Sequence, residues 1–286
     1  MLWPMDYLSL TACPTCRGAL TSRNGSVVCA VCHTPYTVQA GKVFFTDVPE
    51  DYEGSGVTST QNHGTWSEWR RKNFLFYKRE LADISSSAAV LDFGVGPGQF
   101  RELTRRFKTT VGVDFRAFEP VQVVADLTKP LPFKDAAFDV VISSNTFEHL
   151  PNTEEILKEV FRILKPGGVL LATIPFMMRL HQKPYDYNRY THYKWEWLAH
   201  QTGFKNVVVE ALSEPRDVYA TVQRHFYTYV ISSVRERSGM LRLPLLLLVK
   251  VLWKCEQMKI ALLRRVYAFP AQTPDFTEGY ALVAKK

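Results

Sequence analysis

Apolar positions along this chain fall into two rhythms. From residue 88 onward, short apolar runs alternate with stretches in which apolar side chains recur at helical spacing. The runs Ala89-Val-Leu-Asp-Phe93 and Val111-Gly-Val-Asp114, with segments 121–125, 138–143, 169–175, 206–212 and 280–284, are predicted strands. A helix-like stretch reaches Phe107, the spacing at 152–164 predicts a helix ended by Lys165-Pro-Gly-Gly168, and another helix is predicted over 193–201. Strand and helix alternating in this way predict a parallel α/β sheet. Upstream, 36–38 and 42–45 read as short strands about Gly41, and 47–64, rich in Gly, Ser, Thr and acids, reads as a linker. A helix over 65–81 carries Trp66, Trp69, Phe74 and Tyr77 on its apolar side, more simply a packing stripe than a cofactor box. Two long helical stretches, 218–234 and 243–266, precede the last strand.

Composition sharpens this picture. With 286 residues, 46% of them hydrophobic, the chain can bury a substantial core and has room for two domains. Its 35 basic and 28 acidic side chains leave +7, a mild excess that favours anionic partners and excludes a nucleic-acid-coating polybasic protein. The longest apolar run, Leu243 to Val249, has seven residues, where a spanning helix needs about 20. The first ten residues hold an Asp and no Lys or Arg, unlike a secretory signal, so a cytoplasmic protein is expected.

Four of the five cysteines lie in the first 32 residues, as Cys13-Pro-Thr-Cys16 and Cys29-Ala-Val-Cys32. Two such pairs suit one tetrahedral zinc, and a segment this short needs the metal to fold. Four thiolates leave no open position for water, so the zinc is expected to be structural. His33 competes with Cys32 for the fourth ligand position.

Asp92-Phe-Gly94-Val-Gly96-Pro-Gly98 sits where a strand hands over to a helix, the place where such sheets bind ligands. Gln99 stands where a dinucleotide fingerprint requires glycine, which disfavours NAD and FAD. The glycine loop, the acid Asp114 ending the next strand, Val-Ala-Asp126-Leu127, Phe138-Asp-Val-Val-Ile-Ser143 and Leu164-Lys-Pro-Gly-Gly168 occur in order. Together they resemble a class I S-adenosylmethionine-dependent methyltransferase, type 11-like.

That resemblance implies a Rossmann-like seven-stranded methyltransferase sheet closed by an antiparallel hairpin. It covers about 65–286, a methyltransferase domain with a helical insert at about 214–278, and leaves the zinc ribbon read from the cysteine pairs at 1–46 and the linker at 47–64. Methionine and ribose would lie over Asp92, Gly94, Gly96 and Gly98. Asp114, followed by Phe115, would accept both ribose hydroxyls, Asp126 would meet the adenine amino group, Leu127 its ring, and Ser143 would end strand four beside the cofactor. The alternative is that Asp114 and Asp126 only cap loops.

Methyl transfer is an in-line displacement in which the sulfonium charge disappears, so alignment in a dry pocket supplies most of the catalysis. A hydroxyl acceptor also needs a base. His149 after strand four, and His181 and His192 after strand five, are candidates, and the Glu148-His149 pair could equally just shape the pocket. Arg189, in Pro184-Tyr-Asp-Tyr-Asn-Arg-Tyr-Thr191, could clamp a substrate anion or pair with Asp186 to lock the loop. A stretch of this kind is similar to one found in bacterial methyltransferases often associated with glycans.

The expected reaction is methylation at oxygen of a small-molecule or saccharide acceptor, a class that includes lipid-linked ones. The rivals are an RNA base methyltransferase that uses the ribbon, and a recruitment module that holds S-adenosylmethionine without turnover. The leucines and dispersed cations of 243–266 are compatible with a peripheral membrane contact or self-association.

Overall fold

The structure is a computed structural model that describes residues 5–23, 25–47, 66–236, 242–266 and 273–286. Apart from Asp47, the expected linker lies outside the described residues.

The N-terminal segment forms β1 (Leu20–Arg23), β2 (Ser26–Cys29), β3 (Pro35–Gln39) and β4 (Lys42–Phe44). Then follow α1 (Glu68–Leu81), β5 (Ala89–Phe93), α2 (Arg101–Thr104), β6 (Thr109–Asp114), β7 (Val123–Val124) and β8 (Phe138–Ser144). The chain continues through α3 (Thr153–Ile163), β9 (Leu164–Pro175), α4 (His192–Thr202) and β10 (Lys205–Ala211). It closes with α5 (Pro215–Glu236), α6 (Arg242–Val266) and β11 (Gly279–Lys285).

All strands join one sheet in the order β1-β2-β3-β4-β7-β6-β5-β8-β9-β11-β10. Among the described residues the sheet therefore has eleven strands, the seven of β5 to β11 and four from the N-terminal segment, which joins it. The reason is edge pairing: β4 lies parallel to β7, with Val43 beside Val123 and Phe44 beside Val124, so the N-terminal hairpins extend the sheet over an otherwise open edge. A bridge between Thr11 and Phe133 and the ion pair of Arg17 with Glu159 fasten the same segment elsewhere. The final hairpin is antiparallel as expected, with β11 inserted between β9 and β10.

Side chains of the central strands alternate between two apolar layers, as the pleat requires. Leu91, Phe93, Val113 and Val141 pack with Ile156 and Leu157 of α3 and Trp195 of α4. Val90, Val140 and Ile142 pack with Phe76 and Tyr77 of α1 on the other side. The aromatic stripe of α1 is a packing stripe, with Trp66 set edge-on to both Phe74 and Phe100.

Three expected elements differ. The helix before Phe107 shrinks to the single turn α2, because the chain first passes through Gly94, Gly96 and Gly98, all at positive φ. The strand at 121–125 keeps only two residues, since Val121 closes a turn onto the Phe118 carbonyl. Conversely β9 begins at Leu164, and Lys165-Pro-Gly-Gly168 is absorbed as an irregularity in its pairing with β8.

α5 and α6 follow the expected insert and lean on one another through stacked Tyr227 and Trp253 and the hydrogen bond of Tyr219 to Glu256. Lys72 of α1 pairs with Asp217 to anchor α5. No helix among the described residues is long and apolar enough to cross a membrane.

Candidate active site

The carboxyl ends of β5, β6 and β8 open onto a cavity of about 540 Å³. β5 ends at Phe93, and the Gly94 and Val95 amides both donate to the Val113 carbonyl, which folds the glycine loop back against β6. Gly94, at φ +74°, is pressed against Thr146, whereas a Cβ on Gly96 would meet nothing within 4 Å. The loop therefore presents bare backbone to the cavity at Gly96, while Gly98 sits outside the lining, against Pro120.

Asp92, Asp114, Phe115, Asp126 and Leu127 line the same cavity. Asp114 accepts from the Gly96 amide at 2.9 Å and the Arg116 amide at 3.0 Å, so it fixes the turn that it also borders. Burial raises its pKa against the pull of those amides. Burial, and next the Asp114 charge, push Asp92 up to about 7. Asp126 takes the Thr128 amide at 2.9 Å and the Thr128 hydroxyl at 2.7 Å on one oxygen, an Asx-type cap that leaves its other oxygen out of these two bonds. Ser143 is fully buried and stands outside the lining, and its neighbour Ser144 lines the cavity.

The acceptor-side candidates divide. His149 borders the cavity, and its Nδ1 donates to the Tyr185 carbonyl, which leaves Nε2 with the lone pair. Burial lowers the pKa of both His149 and His181, so both rings are neutral near pH 7. His181 stands behind the lining with its ring 5.0 Å from that of His149. Arg189 donates through both terminal nitrogens to Asp186 and through Nη1 to the Asn188 carbonyl at 2.7 Å, a loop lock that turns it away from the cavity. His192 opens α4 and stacks near Tyr193 and Tyr280.

Several lining residues were not anticipated. Thr46 and Asp47 arrive from the end of the N-terminal segment because β4 runs along β7, and Gln182 arrives on the loop after β9 beside Tyr185 and Tyr187 of the expected tyrosine-rich stretch. Glu148 is fully buried, and burial pushes it up to about 8. No periodicity in the sequence marks that carboxyl as an interior one.

Away from the cavity, Cys13, Cys16, Cys29 and Cys32 bring their sulfurs together, with all four within 4.8 Å of one another. Cys13 Sγ lies 3.6 Å from Cys32 Sγ, and Cys16 Sγ lies 3.4 Å from Cys29 Sγ. Sulfurs around one tetrahedral zinc stand about 3.8 Å apart, so this set fits the ion with small adjustments. The Tyr36 hydroxyl at 3.0 Å from Cys13 and the Val31 amide at 3.4 Å from Cys29 supply outer hydrogen bonds. His33 is exposed at φ +58° and lies outside this cluster, whose fourth sulfur is that of Cys32.

Residues 91–172, which span β5 to β9, match a family model described as a methyltransferase domain. The chain carries a methyltransferase domain. A protein of Mycolicibacterium smegmatis named as a probable S-adenosylmethionine-dependent methyltransferase is 32% identical over 117 residues, 37% of this chain and 45% of the relative. Phosphoethanolamine N-methyltransferase 2 of Caenorhabditis elegans is 31% identical over 119 residues, 36% of this chain and 27% of the relative. The chain thus spans less than half the length of either relative. Among solved structures, a SAM-dependent methyltransferase from Archaeoglobus fulgidus is similar at 20% identity and a TM-score of 0.45, covering 76% of this chain and 94% of that one. The domain's glycine loop and the acids Asp92 and Asp114 fall inside the matched region, and the cysteine cluster falls outside it.

Proposed function

We propose that this chain transfers a methyl group from S-adenosylmethionine to a small-molecule or saccharide acceptor. The observation that carries the reading is the pair of buried carboxylates, Asp92 and Asp114, beside open glycine backbone in one cavity wall. Such a wall repels the pyrophosphate of a dinucleotide and welcomes a cation. When bound, S-adenosylmethionine supplies an electrophilic methyl on a positively charged sulfur. Gly96 would let its backbone approach closely, Asp114 would accept from the ribose hydroxyls, and Asp126 and Leu127 would meet the adenine.

His149 then borders the acceptor side as a neutral imidazole fixed through Nδ1 by the Tyr185 carbonyl. With Nδ1 engaged there and Nε2 buried toward Glu148, the ring shapes and positions the acceptor side of the cavity. Arg189 acts through Asp186 as a loop lock, and Phe115, Tyr185 and Tyr187 help to keep the cavity dry. A sterol 4-C-methyltransferase of Caenorhabditis elegans, 35% identical over 72 residues, is a further relative. It makes a lipid-related acceptor a natural member of the class to be tried.

The RNA reading is weakened by how the ribbon spends its cations. Lys42 Nζ donates to the carbonyls of Phe118, Glu119 and Val121, and Arg17 is engaged by Glu159 and the Leu131 carbonyl. Neither is free to meet a phosphate. Labelled S-adenosylmethionine incubated with this protein and a fractionated extract is expected to give a labelled product that survives ribonuclease. Label lost with ribonuclease would move the acceptor to RNA, and no label in any fraction would favour the recruitment module.

The cysteine cluster is proposed to hold one structural zinc that ties the N-terminal hairpins to the sheet. Metal analysis should find it, with loss on Cys32→Ala and retention on His33→Ala. Retention in both variants, or a folded metal-free segment, would remove the site. Exposed Leu247, Leu248 and Val251 on α6, near Lys250 and Lys254, support a peripheral lipid contact or self-association of the insert.

A further inference from the structure

The loop that follows β9 folds back over the turn that follows β8, and it brings three metal-ligating side chains to one point behind the cavity wall. Glu148 Oε1 lies 3.6 Å from His149 Nε2 and 3.7 Å from His181 Nε2. One ligand atom from each of the three residues lies within 4.8 Å of the others. Glu148 has no exposed surface, and neither of its carboxyl oxygens has a hydrogen-bond partner, nor has His149 Nε2. Buried polar atoms are nearly always paired, and a carboxyl group with both oxygens orphaned is costly to keep in an interior.

Glu148 Oε1 and the two Nε2 atoms face one another. They stand too far apart for direct hydrogen bonds and close to the separation set by a shared ion. With metal–ligand bonds of about 2.0–2.2 Å, neighbouring ligands on one tetrahedral ion are about 3.4 Å apart. An outer contact fixes the tautomer of His149. His149 donates through Nδ1 to the Tyr185 carbonyl, which directs its Nε2 lone pair toward Glu148. His181 Nδ1 is 3.3 Å from Asp186 Oδ2, and Asp186 is held by Arg189 and by the His181 amide at 2.8 Å. Arg189 Nη2 donates toward the same His181 nitrogen at 3.4 Å, so on metal binding the His181 proton moves from Nε2 to Nδ1, where Asp186 Oδ2 can accept it. A carbonyl behind one imidazole and a carboxylate behind the other is the support that metal-bound histidines generally carry.

We propose that Glu148, His149 and His181 form a mononuclear site for a divalent transition metal, separate from the cysteine cluster. Two imidazoles and one carboxylate suit zinc, iron(II), cobalt(II) or nickel(II) better than magnesium or calcium, which prefer oxygen ligands. Three protein ligands leave at least one coordination position. His149 borders the cavity with Gln182 and Tyr185, so a metal held there lies just behind the cavity wall. The metal site itself does not depend on the methyl-transfer reading.

Cobalt(II) titration of the full-length protein carrying one zinc per chain, at the cysteines, followed by visible absorption, tests the assignment. The expected result is one further equivalent bound, with d–d absorption and without the thiolate charge-transfer band that cobalt shows in a cysteine site. His181→Ala, on the loop, should weaken that equivalent by about 100-fold or more, and Asp186→Asn by roughly 10- to 100-fold. Glu148→Gln should abolish it, with thermal melting as the control for folding. Copper(II) on the wild-type protein should show nitrogen hyperfine coupling in its paramagnetic resonance spectrum, an arm that needs no variant to fold. No added equivalent, no nitrogen coupling, or unchanged affinity in a folded His181→Ala would overturn the site. Calorimetry with S-adenosylmethionine on the same samples reports on the methyl-transfer reading separately, because binding of the methyl donor can succeed or fail whatever the metal does.

Discussion

Asp114→Ala is expected to weaken S-adenosylmethionine binding by about 2 to 4 kcal/mol, on the order of 30-fold or more. Under the proposed reading two charge-assisted hydrogen bonds to the ribose are lost. The variant also releases the Gly96 and Arg116 amides that Asp114 holds at 2.9 and 3.0 Å, so the turn itself loosens. Asp114→Asn separates the two effects, since its remaining carbonyl oxygen can still accept from one amide. The pH dependence gives an independent reading. Asp92 is pushed up to about 7 by burial and then by the charge on Asp114, so below that pH it holds a proton in the free protein. A cation bound alongside favours the ionised form, and binding must expel that proton. Affinity in the wild type should therefore rise as pH climbs through about 7. In Asp114→Ala one of the two causes is gone, and the inflection should move to lower pH. Calorimetry across this range decides, and equal affinity in wild type and variant would mean that the ribose is held elsewhere.

How far this site could be read in advance depended on the range of the interactions behind each part. β5 was legible because five consecutive interior positions leave an unbroken apolar signature around Asp92, and α3 because its buried Ile156, Leu157, Val160 and Ile163 recur at helical spacing. The cysteine pairs were legible for the same reason: their chemistry is local and fixed by spacing. The added strands were not. β4 has three residues and meets β7, which has two, across about eighty positions of sequence, so neither carries a pattern that names its partner. Ser143 and Ser144 show a second kind of limit. A strand turns alternate side chains to opposite faces, and a shift of one residue decides which serine meets the cavity. The spacing of Asp186 and Arg189 suited both a locked loop and a substrate clamp, and only the bidentate contact in the fold separates them. The carboxyl of Glu148 was hidden most fully, because its isolation arises from the distant 176–190 loop closing over it.

Gly94→Ala is expected to be the most damaging single methyl group that can be added to this site. Gly94 adopts φ +74°, where an L side chain costs roughly 1–2 kcal/mol. Its new Cβ would fall 2.2 Å from Thr146 Oγ1, 2.5 Å from Cγ2 and 2.9 Å from Cβ. Rotating the threonine cannot relieve a clash with its own Cβ, and the Thr146 hydroxyl is already within 3.3 Å of both the Phe93 and Ser144 carbonyls. Overpacking of this kind costs about 1–3 kcal/mol, so the total is about 2–5 kcal/mol, set against about 5–15 kcal/mol for a whole domain. Gly96→Ala is the matched control. It also stands at positive φ, +52°, but its Cβ would meet nothing within 4 Å, so it should cost only the backbone share. Chemical denaturation of the two variants should therefore separate them by the overpacking share. Calorimetry should show Gly96→Ala impaired mainly in cofactor binding, because its methyl enters the cavity, and Gly94→Ala impaired in both stability and binding. Equal denaturation midpoints would mean that Thr146 and the turn after β8 yield freely, and the close contact between the two loops would then not be what shapes the cavity wall.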